Sequence, residues 1–468
     1  MSLGKRLHLL LSASALLLAA MSAAHADVVI STDPTSNMSC SGGVCAPTAS
    51  DAVLNVSDLE SYLASGSLEV TTTGSGVQAN NIDVTAPFSW SAANTLTLDA
   101  YQSITVTGAV TDSGAGGVAL DTNDGGSGGA LSFISGGAIT IANLKDVLTI
   151  NGLRYTLAGK LKYLAKDIAI NPNGAFALAN DVDTSGRGIY RAPPIPVFFG
   201  GSFNGLGHVI SNLVIADQAD LSVGFFAGIA AGAEVSSIGI VKIHIDGGQD
   251  GSDAVGALAG TSYGTITNAW SDGEIRGNLG FTGGLLGDNE RVVENSWSSA
   301  RVQGVVAGGL VGYNNYSIES SFAEGAVSDG GEPGSSIGGL VGMSRTIENS
   351  YATGRVFGRG YAIGGLAGTQ GDAPITSAYS AGHVQTGGKY VGGFLGYNSG
   401  NSNTSCYWDT STNKVQNGVG QGSNSGVTGL TTSKFQAHLP KGFDPTIWAE
   451  NPSINNGFPY LIANPPPQ

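Results

Sequence analysis

The chain has 468 residues, of which 73 are glycine, 41% are hydrophobic and 12% are charged. Glycine without a three-residue period excludes collagen, and the hydrophobic share argues against a disordered chain. A formal net charge of −15 at pH 7 excludes a general attraction to nucleic acid or anionic lipid, so no nucleic-acid partner is expected.

Residues 1–26 have the pattern of a secretory signal. Lys5 and Arg6 form a basic head, an apolar run from Leu7 to Ala20 follows, and a small-residue cleavage site ends at Ala26. The pattern predicts cleavage after Ala26 and a secreted or cell-surface protein, with the periplasm as the alternative. No later stretch supplies the roughly 20 apolar residues of a transmembrane helix, so no membrane span is expected after signal removal.

Residues 27–66 predict a polar, loosely ordered segment that ends in one short helix at 57–65. Within this segment Cys40 and Cys45 are expected to form a disulfide, with a free pair and a metal site as the alternatives. Residues 67–150 carry short runs in which apolar residues alternate with polar or small ones, between glycine- and asparagine-rich turns. These runs predict an irregular stretch of β-helix.

Residues 151–222 predict a connecting segment. Leu161, Leu164 and Ile168 are spaced as on one side of a short helix that packs against the solenoid. The phrase Gly201-Ser-Phe-Asn-Gly-Leu-Gly-His208 follows, and a structural hydrogen bond is favoured over catalysis for His208.

Residues 223–400 contain seven copies of a glycine phrase, whose first glycines stand at positions 224, 256, 283, 308, 338, 364 and 392. Steps of 25 to 32 residues are typical of a solenoid whose units stack to bury a common core. In five copies two glycines are adjacent, at places where no side chain is expected to fit. These pairs are Gly283 and Gly284, Gly308 and Gly309, Gly338 and Gly339, Gly364 and Gly365, and Gly392 and Gly393.

A second phrase, typified by Ile347-Glu-Asn-Ser-Tyr-Ala-Thr-Gly-Arg-Val356, follows the middle copies and is aromatic at its fifth position. The aromatic residues are Trp270, Trp297, Phe322, Tyr351 and Tyr379. If the strand is straight, alternation places the rings inside the solenoid, beside a column of Asn or Ser from the third position. If the chain bends at the third position, the rings turn outward and the neighbouring Ser or Ala turns inward. We expect the straight strand and rings inside the solenoid.

These elements predict an all-β fold, a right-handed parallel β-helix with short accessory helices. Nothing in the repeat has the 3.6-residue period of a helix. Residues 401–468 are expected to form a C-terminal cap, in which Trp448, Phe458 and Tyr460 cover the last rung.

Several stretches resemble one known family. Asn94-Thr-Leu-Thr-Leu-Asp-Ala-Tyr-Gln-Ser-Ile-Thr-Val-Thr-Gly-Ala-Val110, residues 148–183 and residues 199–213 look like the β-helical passenger of filamentous-haemagglutinin-type adhesins. The glycine repeats resemble the GLUG motif of the same adhesins. The resemblance implies a secreted or surface-exposed protein of a Gram-negative bacterium that binds glycans or cell-surface molecules without catalysis. An outer-membrane secretion partner is expected on the same ground.

The sequence carries no recognised catalytic motif. Some immunoglobulin A proteases share the GLUG motif, but a His-Glu-x-x-His zinc motif is absent here, as are a Gly-x-Ser-x-Gly elbow and a phosphate loop. We therefore predict no enzyme activity, no catalytic residue and no cofactor. Asp246, Asp250 and Asp253 are weak calcium candidates that turn formation explains better. The alternatives are a β-helix polysaccharide lyase or hydrolase, which requires converging carboxylates, and a structural spacer or matrix component.

Overall fold

The computed structural model describes residues 27–248, 253–385, 387–412 and 414–467. The predicted signal peptide, its cleavage site after Ala26 and the calcium candidate Asp250 lie outside the described residues. Within them the fold is an all-β parallel solenoid, as the sequence predicts, with the short helices α1 (Val56–Ser65), α2 (Leu161–Ile170) and α3 (Thr432–Phe435). No helix in these ranges is both long enough and apolar enough to span a membrane.

An N-terminal solenoid occupies residues 27–150 and has three parallel sheets as its sides. Alternate residues point inward, so Leu96 and Leu98 are buried and Thr97 between them is half-buried. The first sheet contains Ala52–Asn55, Asp27–Ser31, Asn81–Val84, Ile104–Val106 and Leu131–Phe133. The second contains Phe88–Trp90, Ala109–Asp112 and Ala138–Ile141. The third contains Val44–Pro47, Leu68–Thr71, Thr95–Asp99, Gly117–Asp121 and Val147–Ile150, with the small hairpin Thr73–Gly74 and Val77–Gln78 beside it.

The prediction of a loosely ordered segment before α1 is wrong. Asp27–Ser31 and Ala52–Asn55 pair with each other in parallel and extend the first sheet. Their partners include Asn81–Val84, which lies more than 50 residues away from Asp27. Because the pairing is between segments distant in the chain, local composition does not reveal these strands.

An antiparallel hairpin, Met38–Ser41 with Val44–Pro47, closes the N-terminal end of the third sheet. Cys40 and Cys45 lie opposite each other in this hairpin and are joined by a disulfide. Helix α1 then begins after Asn55, whose side chain accepts a hydrogen bond from the N–H of Ser57 at 2.8 Å.

Residues 151–222 are part of the solenoid rather than only a connection. Leu153–Ala158 turns back antiparallel to the last N-terminal strand and pairs in parallel with Ala175–Leu178. In the chain, helix α2 lies between these two strands, at the position that the apolar spacing predicts. Its buried residues are Leu161, Leu164 and Ile168.

Each repeat forms one turn of the solenoid with up to five strands, because two neighbouring strands are merged into one longer strand in several turns. In the third repeat these are Phe281–Gly283, Leu286–Asn289, Val292–Glu294, Trp297–Ser298 and Arg301–Gln303. Equivalent strands of successive turns pair in parallel, so five faces run along the array. This pairing satisfies the backbone hydrogen bonds from turn to turn and buries a continuous core.

The five faces are named here by their side chains. The glycine face contains Ser222–Val223, Ala254–Val255, Phe281–Gly283, Val306–Gly308, Ser336–Gly338, Ala362–Gly364 and Tyr390–Gly392. The amide face contains Ile195–Phe199, Phe226–Ile229, Ala259–Ser262, Leu286–Asn289, Ala367–Gln370, Leu395–Asn398 and Val419–Gln421. The aliphatic face contains Ser202–Asn204, Glu234–Ser236, Thr265–Thr267 and Val292–Glu294, and it shares the long strands Val311–Glu319 and Val341–Glu348 with the amide face.

The aromatic face contains Val182–Asp183, Val209–Ser211, Trp297–Ser298, Phe322–Ala323, Tyr351–Ala352 and Val427–Leu430. It shares Ile375–Ser380 and Thr404–Asp409 with the aliphatic face. The valine face contains Val214–Asp217, Arg301–Gln303, Val327–Ser328 and Val356–Phe357, and it shares Gly239–Gly247 and Trp270–Gly277 with the aromatic face.

The paired glycines mark a close approach between neighbouring turns. A Cβ added at Gly339 would meet the carbonyl oxygen of Gly365 in the next turn and would lie 2.9 Å from the Cβ of Ala352. A Cβ at Gly338 would lie 2.5 Å from the Cα of Ala367. Both contacts are too short for a real side chain, so both positions of the pair require glycine.

The second phrase bends at its third position, and the prediction of a straight strand is wrong. Every residue at this position has a φ between 46° and 51°, a left-handed conformation that Asn adopts more readily than most residues. These residues are Asn268, Asn295, Ser320, Asn349 and Ser377. The bend reverses the alternation of side chains, so the aromatic rings point away from the solenoid core and the flanking small residues, such as Ser350 and Ala352, are buried in it.

Buried amides do stack, but they do so on the amide face. Asn289 Nδ2 donates to Asn314 Oδ1 at 2.7 Å, and both side chains are fully buried. Gln370 Nε2 donates to Asn403 Oδ1 at 2.8 Å two turns further on. In each of the five copies with paired glycines a polar residue stands six positions after the first glycine, and this spacing is the signal that the sequence interpretation missed. These residues are Asn289, Asn314, Ser344, Gln370 and Asn398.

The outward rings form a second hydrophobic core, here called the aromatic column. Trp270, Trp297, Phe322, Tyr351 and Tyr379 stack with centroid separations between 4.8 and 6.5 Å and with planes within 13° of parallel. The ring of Tyr407 belongs to the same cluster. The column therefore runs parallel to the solenoid axis, outside the main core.

The C-terminal arm, residues 431–467, folds back along the aromatic column. Trp448 packs 6.0 Å from the ring of Tyr351, and the hydroxyl of Tyr379 donates to the carbonyl of Pro459 at 2.7 Å. The rings of Phe322, Tyr351 and Tyr379 are fully buried as a result. Besides α3, the arm contains the 3₁₀ turn Asn455–Gly457 and the antiparallel pair Trp448–Ala449 and Tyr460–Leu461. It lies along the side of the array, whereas the sequence interpretation placed Trp448 and Phe458 over its last rung.

Candidate functional site

The aromatic column is open at its N-terminal end. The residue paired with Trp270 in the preceding turn is Gly239, which has no ring to continue the stack. The indole of Trp270 leans over this glycine, where an added Cβ would lie 2.5 Å from two ring atoms. The C-terminal arm also stops covering the aromatic column near this point, so Trp270 and Trp297 are only half-buried.

A groove of about 920 Å³ lies at this open end and is called here the column-end groove. One wall is the last turn of the N-terminal solenoid, residues 133–138, and the opposite wall is the end of the arm, residues 464–467. The two tryptophans and Tyr460 supply aromatic surface between these walls. Apolar lining with a few placed polar groups is the usual character of a ligand site.

Three amide side chains reach the groove from separate elements. Asn268 Nδ2 donates to the carbonyl of Leu131 at 3.5 Å and so bridges the repeat array to the N-terminal solenoid. Asn464 Nδ2 donates to the carbonyl of Ser320 at 3.1 Å and holds the end of the arm against the array. Asn295 also lines the groove. These amides fix the walls and place polar atoms beside the tryptophans.

His208 and Asp181 line the side of the groove nearest the N-terminal solenoid. The imidazole is 4% exposed, and its Nδ1 lies 2.9 Å from Asp181 Oδ1 while its Nε2 lies 2.9 Å from the carbonyl oxygen of Ile139. Asp181 Oδ1 also accepts from the N–H of Val209 at 3.1 Å. Both ring nitrogens are thus engaged with oxygen atoms that anchor neighbouring segments, which is the structural role that the sequence favours for His208.

The structure brings only part of the predicted set of residues to this groove. Trp270 and Trp297 line it, whereas Phe322, Tyr351 and Tyr379 lie beneath the arm. The paired glycines do not line the groove, and the disulfide of Cys40 and Cys45 belongs to the N-terminal hairpin. The wall residues 133–138 and 464–467 were not singled out from the sequence, because they reach the groove only through contacts between distant segments.

One signal for the groove was present in the sequence. The phrase Val235-Ser-Ser-Ile-Gly239 aligns with the second phrase one turn before Trp270, and its fifth position is glycine instead of an aromatic residue. Ser237 at its third position has a φ of 56°, so this turn bends like the later ones. An alignment that included this copy would have placed the end of the column at Trp270.

Two of the three calcium candidates, Asp246 and Asp253, are described by the structure. Asp246 Oδ2 lies 3.1 Å from His244 Nε2, and Asp253 is 3% exposed. Within the described ranges no group of three His, Cys, Asp or Glu side chains could hold a metal ion. The calcium prediction also depends on Asp250, which is not described.

A separate acidic depression of about 510 Å³ lies on the N-terminal solenoid and includes Glu69, Asp99, Asp121 and Asp124. Burial and the neighbouring carboxylates of Asp124, Glu69 and Asp121 raise the pKa of Asp99 to about 6. The raised pKa of Asp99 thus reflects burial first and repulsion between carboxylates second, and the depression lies outside the column-end groove.

Comparisons with known proteins give a partial sequence match and a partial structural match. No family model matches the chain. Halomucin from Haloquadratum walsbyi is 30% identical over 292 residues, which are 59% of this chain and 3% of halomucin. The crystal structure of a putative immunoglobulin A1 protease from Bacteroides ovatus aligns with 66% of this chain and 93% of its own, at a TM-score of 0.40 and 19% identity. The chain thus spans only a small fraction of the curated relative that it matches.

Proposed function

We propose that this chain is a secreted or surface-exposed β-solenoid of adhesin type that binds glycans through the column-end groove without cleaving them. The observation that carries the proposal is the open end of the aromatic column, where Trp270 and Trp297 border a groove lined by amides. Sugars pack their C–H faces against aromatic rings and exchange hydrogen bonds with amide groups.

An extracellular location fits this proposal. The signal pattern at residues 1–26 and the disulfide of Cys40 and Cys45 both suit an exported protein in an oxidising environment. The local similarity to halomucin supports the same location, and the resemblance of the repeats to the GLUG motif supports the adhesin type.

The groove is less suited to hydrolysis. Glycoside hydrolases use two carboxyl groups on either side of the scissile bond. Among the described residues that line the groove, Asp181 is the single carboxylate, and its Oδ1 already bonds to His208 and to the backbone of Val209. Binding is therefore the function that the groove supports better than cleavage.

The test incubates the full chain with a panel of soluble polysaccharides and with whole cells, and measures retention and chain cleavage in the same samples. The variants Trp270→Ala and Trp297→Ala are compared with Tyr263→Ala, which removes an exposed ring outside the groove. We expect retention without cleavage, and binding about ten- to a hundredfold weaker in the two tryptophan variants only. Cleavage of the polysaccharide would refute the proposal and indicate an enzyme. Failure of every probe to be retained would refute it and indicate a structural spacer.

A further inference from the structure

We infer that the ligand of the column-end groove is an uncharged glycan chain, one sugar of which packs on the indole of Trp270. This inference rests on the proposed function and deepens it by naming the class of glycan. Three features of the groove support it: the open aromatic stack, the absence of Lys and Arg from the described lining residues, and the arrangement of the amides.

The aromatic stack favours a sugar ring over an extended aliphatic ligand. The rings of the column lie nearly parallel, and Trp270 is the last of them, half-buried and facing a wall of small residues. Gly136 lines the groove, and a Cβ added there would meet no heavy atom within 4 Å, so open space remains at this position of the wall. A flat, C–H-rich sugar face fits such a slot and is attracted by the negative face of the ring.

The charges of the groove disfavour an anionic glycan. Among its described lining residues there is no Lys or Arg, whereas the carboxylate of Asp181 is 69% exposed. A uronate or sulfate would therefore approach the carboxylate of Asp181 without a Lys or Arg of the lining to pair with, and like charges at close range oppose binding.

The amides match the hydroxyl groups of a neutral sugar. Asn268 and Asn464 each donate through Nδ2 to a backbone carbonyl, which fixes the orientation of the amide. Asn464 is buried and holds the wall, whereas Asn268 is half-buried and its Oδ1 accepts no hydrogen bond from the described residues, so this oxygen is available to a sugar hydroxyl. Amides donate and accept without net charge, so they select hydroxyl groups rather than ionised ones.

The experiment uses the neutral polysaccharides that the panel retains, each in two derivatives of similar bulk, one hydroxyethylated and one carboxymethylated. Binding is measured by titration calorimetry with the full chain. We expect the carboxymethyl derivative to bind at least about tenfold more weakly than the hydroxyethyl derivative, with a difference that shrinks as salt is added. Tighter binding of the carboxymethyl derivative, or retention of anionic polysaccharides alone, would overturn the inference.

A matched pair of variants tests the location. Thr140 lines the groove, and Thr111 occupies the paired position on the neighbouring strand of the same sheet, outside the groove lining. Thr140→Phe fills the groove and is expected to weaken binding about tenfold or more, whereas Thr111→Phe leaves binding unchanged; thermal melting verifies that both variants fold. Equal binding by the two variants would refute this location while the proposed function still stands. Failure of every glycan to bind the wild-type chain would instead refute the proposed function.

Discussion

The substitution Gly339→Ala tests whether the glycine pairs are required by the approach of neighbouring turns. The added Cβ would meet the carbonyl oxygen of Gly365 and would lie 2.9 Å from the Cβ of Ala352. Relief of both contacts requires movement of backbone in two turns, since Ala352 has no longer side chain that could rotate away. Overpacking of this kind costs about 3 kcal/mol of unfolding free energy, at the upper end of the usual range.

The control variants separate crowding from backbone conformation. Gly334 is exposed, has no heavy atom within 4 Å of an added Cβ and lacks a positive φ, so Gly334→Ala should change stability by no more than about 0.5 kcal/mol. Gly331 is equally open but has a φ of 96°, and Gly331→Ala should cost about 1–2 kcal/mol through the backbone alone. Denaturant titration of the full chain, followed by circular dichroism and tryptophan fluorescence, gives the ranking. Equal midpoints for the Gly339 and Gly334 variants would refute the crowding argument.

Two further predictions concern the arm and the pH dependence of stability. Tyr379→Phe removes the hydrogen bonds of the buried hydroxyl with Pro459 and Asn455 and should cost about 1–3 kcal/mol, seen as faster proteolysis of the arm while the rest of the solenoid stays protected. Burial, and then the charge of Glu290, raise the pKa of Asp288 to about 7, so the folded chain keeps a proton that the unfolded chain releases near the ordinary value of 3.8. The stability contribution of Asp288 is thus fully present below that value and is lost as the pH rises towards 7. Asp288→Asn should therefore raise the melting temperature relative to wild type more at pH 8 than at pH 4, and an equal shift at both would contradict the assignment.

The repeat architecture could be predicted because its signals are local and periodic. The glycine spacing fixes which segments stack, and the paired glycines require turns that approach closely, as Gly339 shows. Helix α2 could likewise be predicted, from the spacing of Leu161, Leu164 and Ile168. Parallel stacking follows from these features without knowledge of any contact between distant segments.

The direction of the aromatic rings was predicted wrongly because the alternation of side chains in a β-strand was assumed to continue through the third position of the second phrase, where the chain bends. Asn349 and its equivalents adopt a positive φ, and the preference of Asn for this conformation was a local signal for the bend.

The groove itself could not be predicted from local pattern. Its walls meet through contacts such as Asn464 with Ser320, which are separated by 144 residues, and no periodicity encodes such a pair.

The arm has a consequence for how this protein can change its length. It leaves the solenoid after the last strand, Val427–Leu430, and its far end reaches the turn of Trp297. A repeat inserted between Phe322 and Tyr407 would lengthen the column by about 4.8 Å and leave Asn464 one turn short of the groove. The length of the arm therefore limits the number of repeats beneath it, which can be gained or lost only together with a matching change in the arm. Turns before Gly239 can change in number without altering the distance that the arm spans.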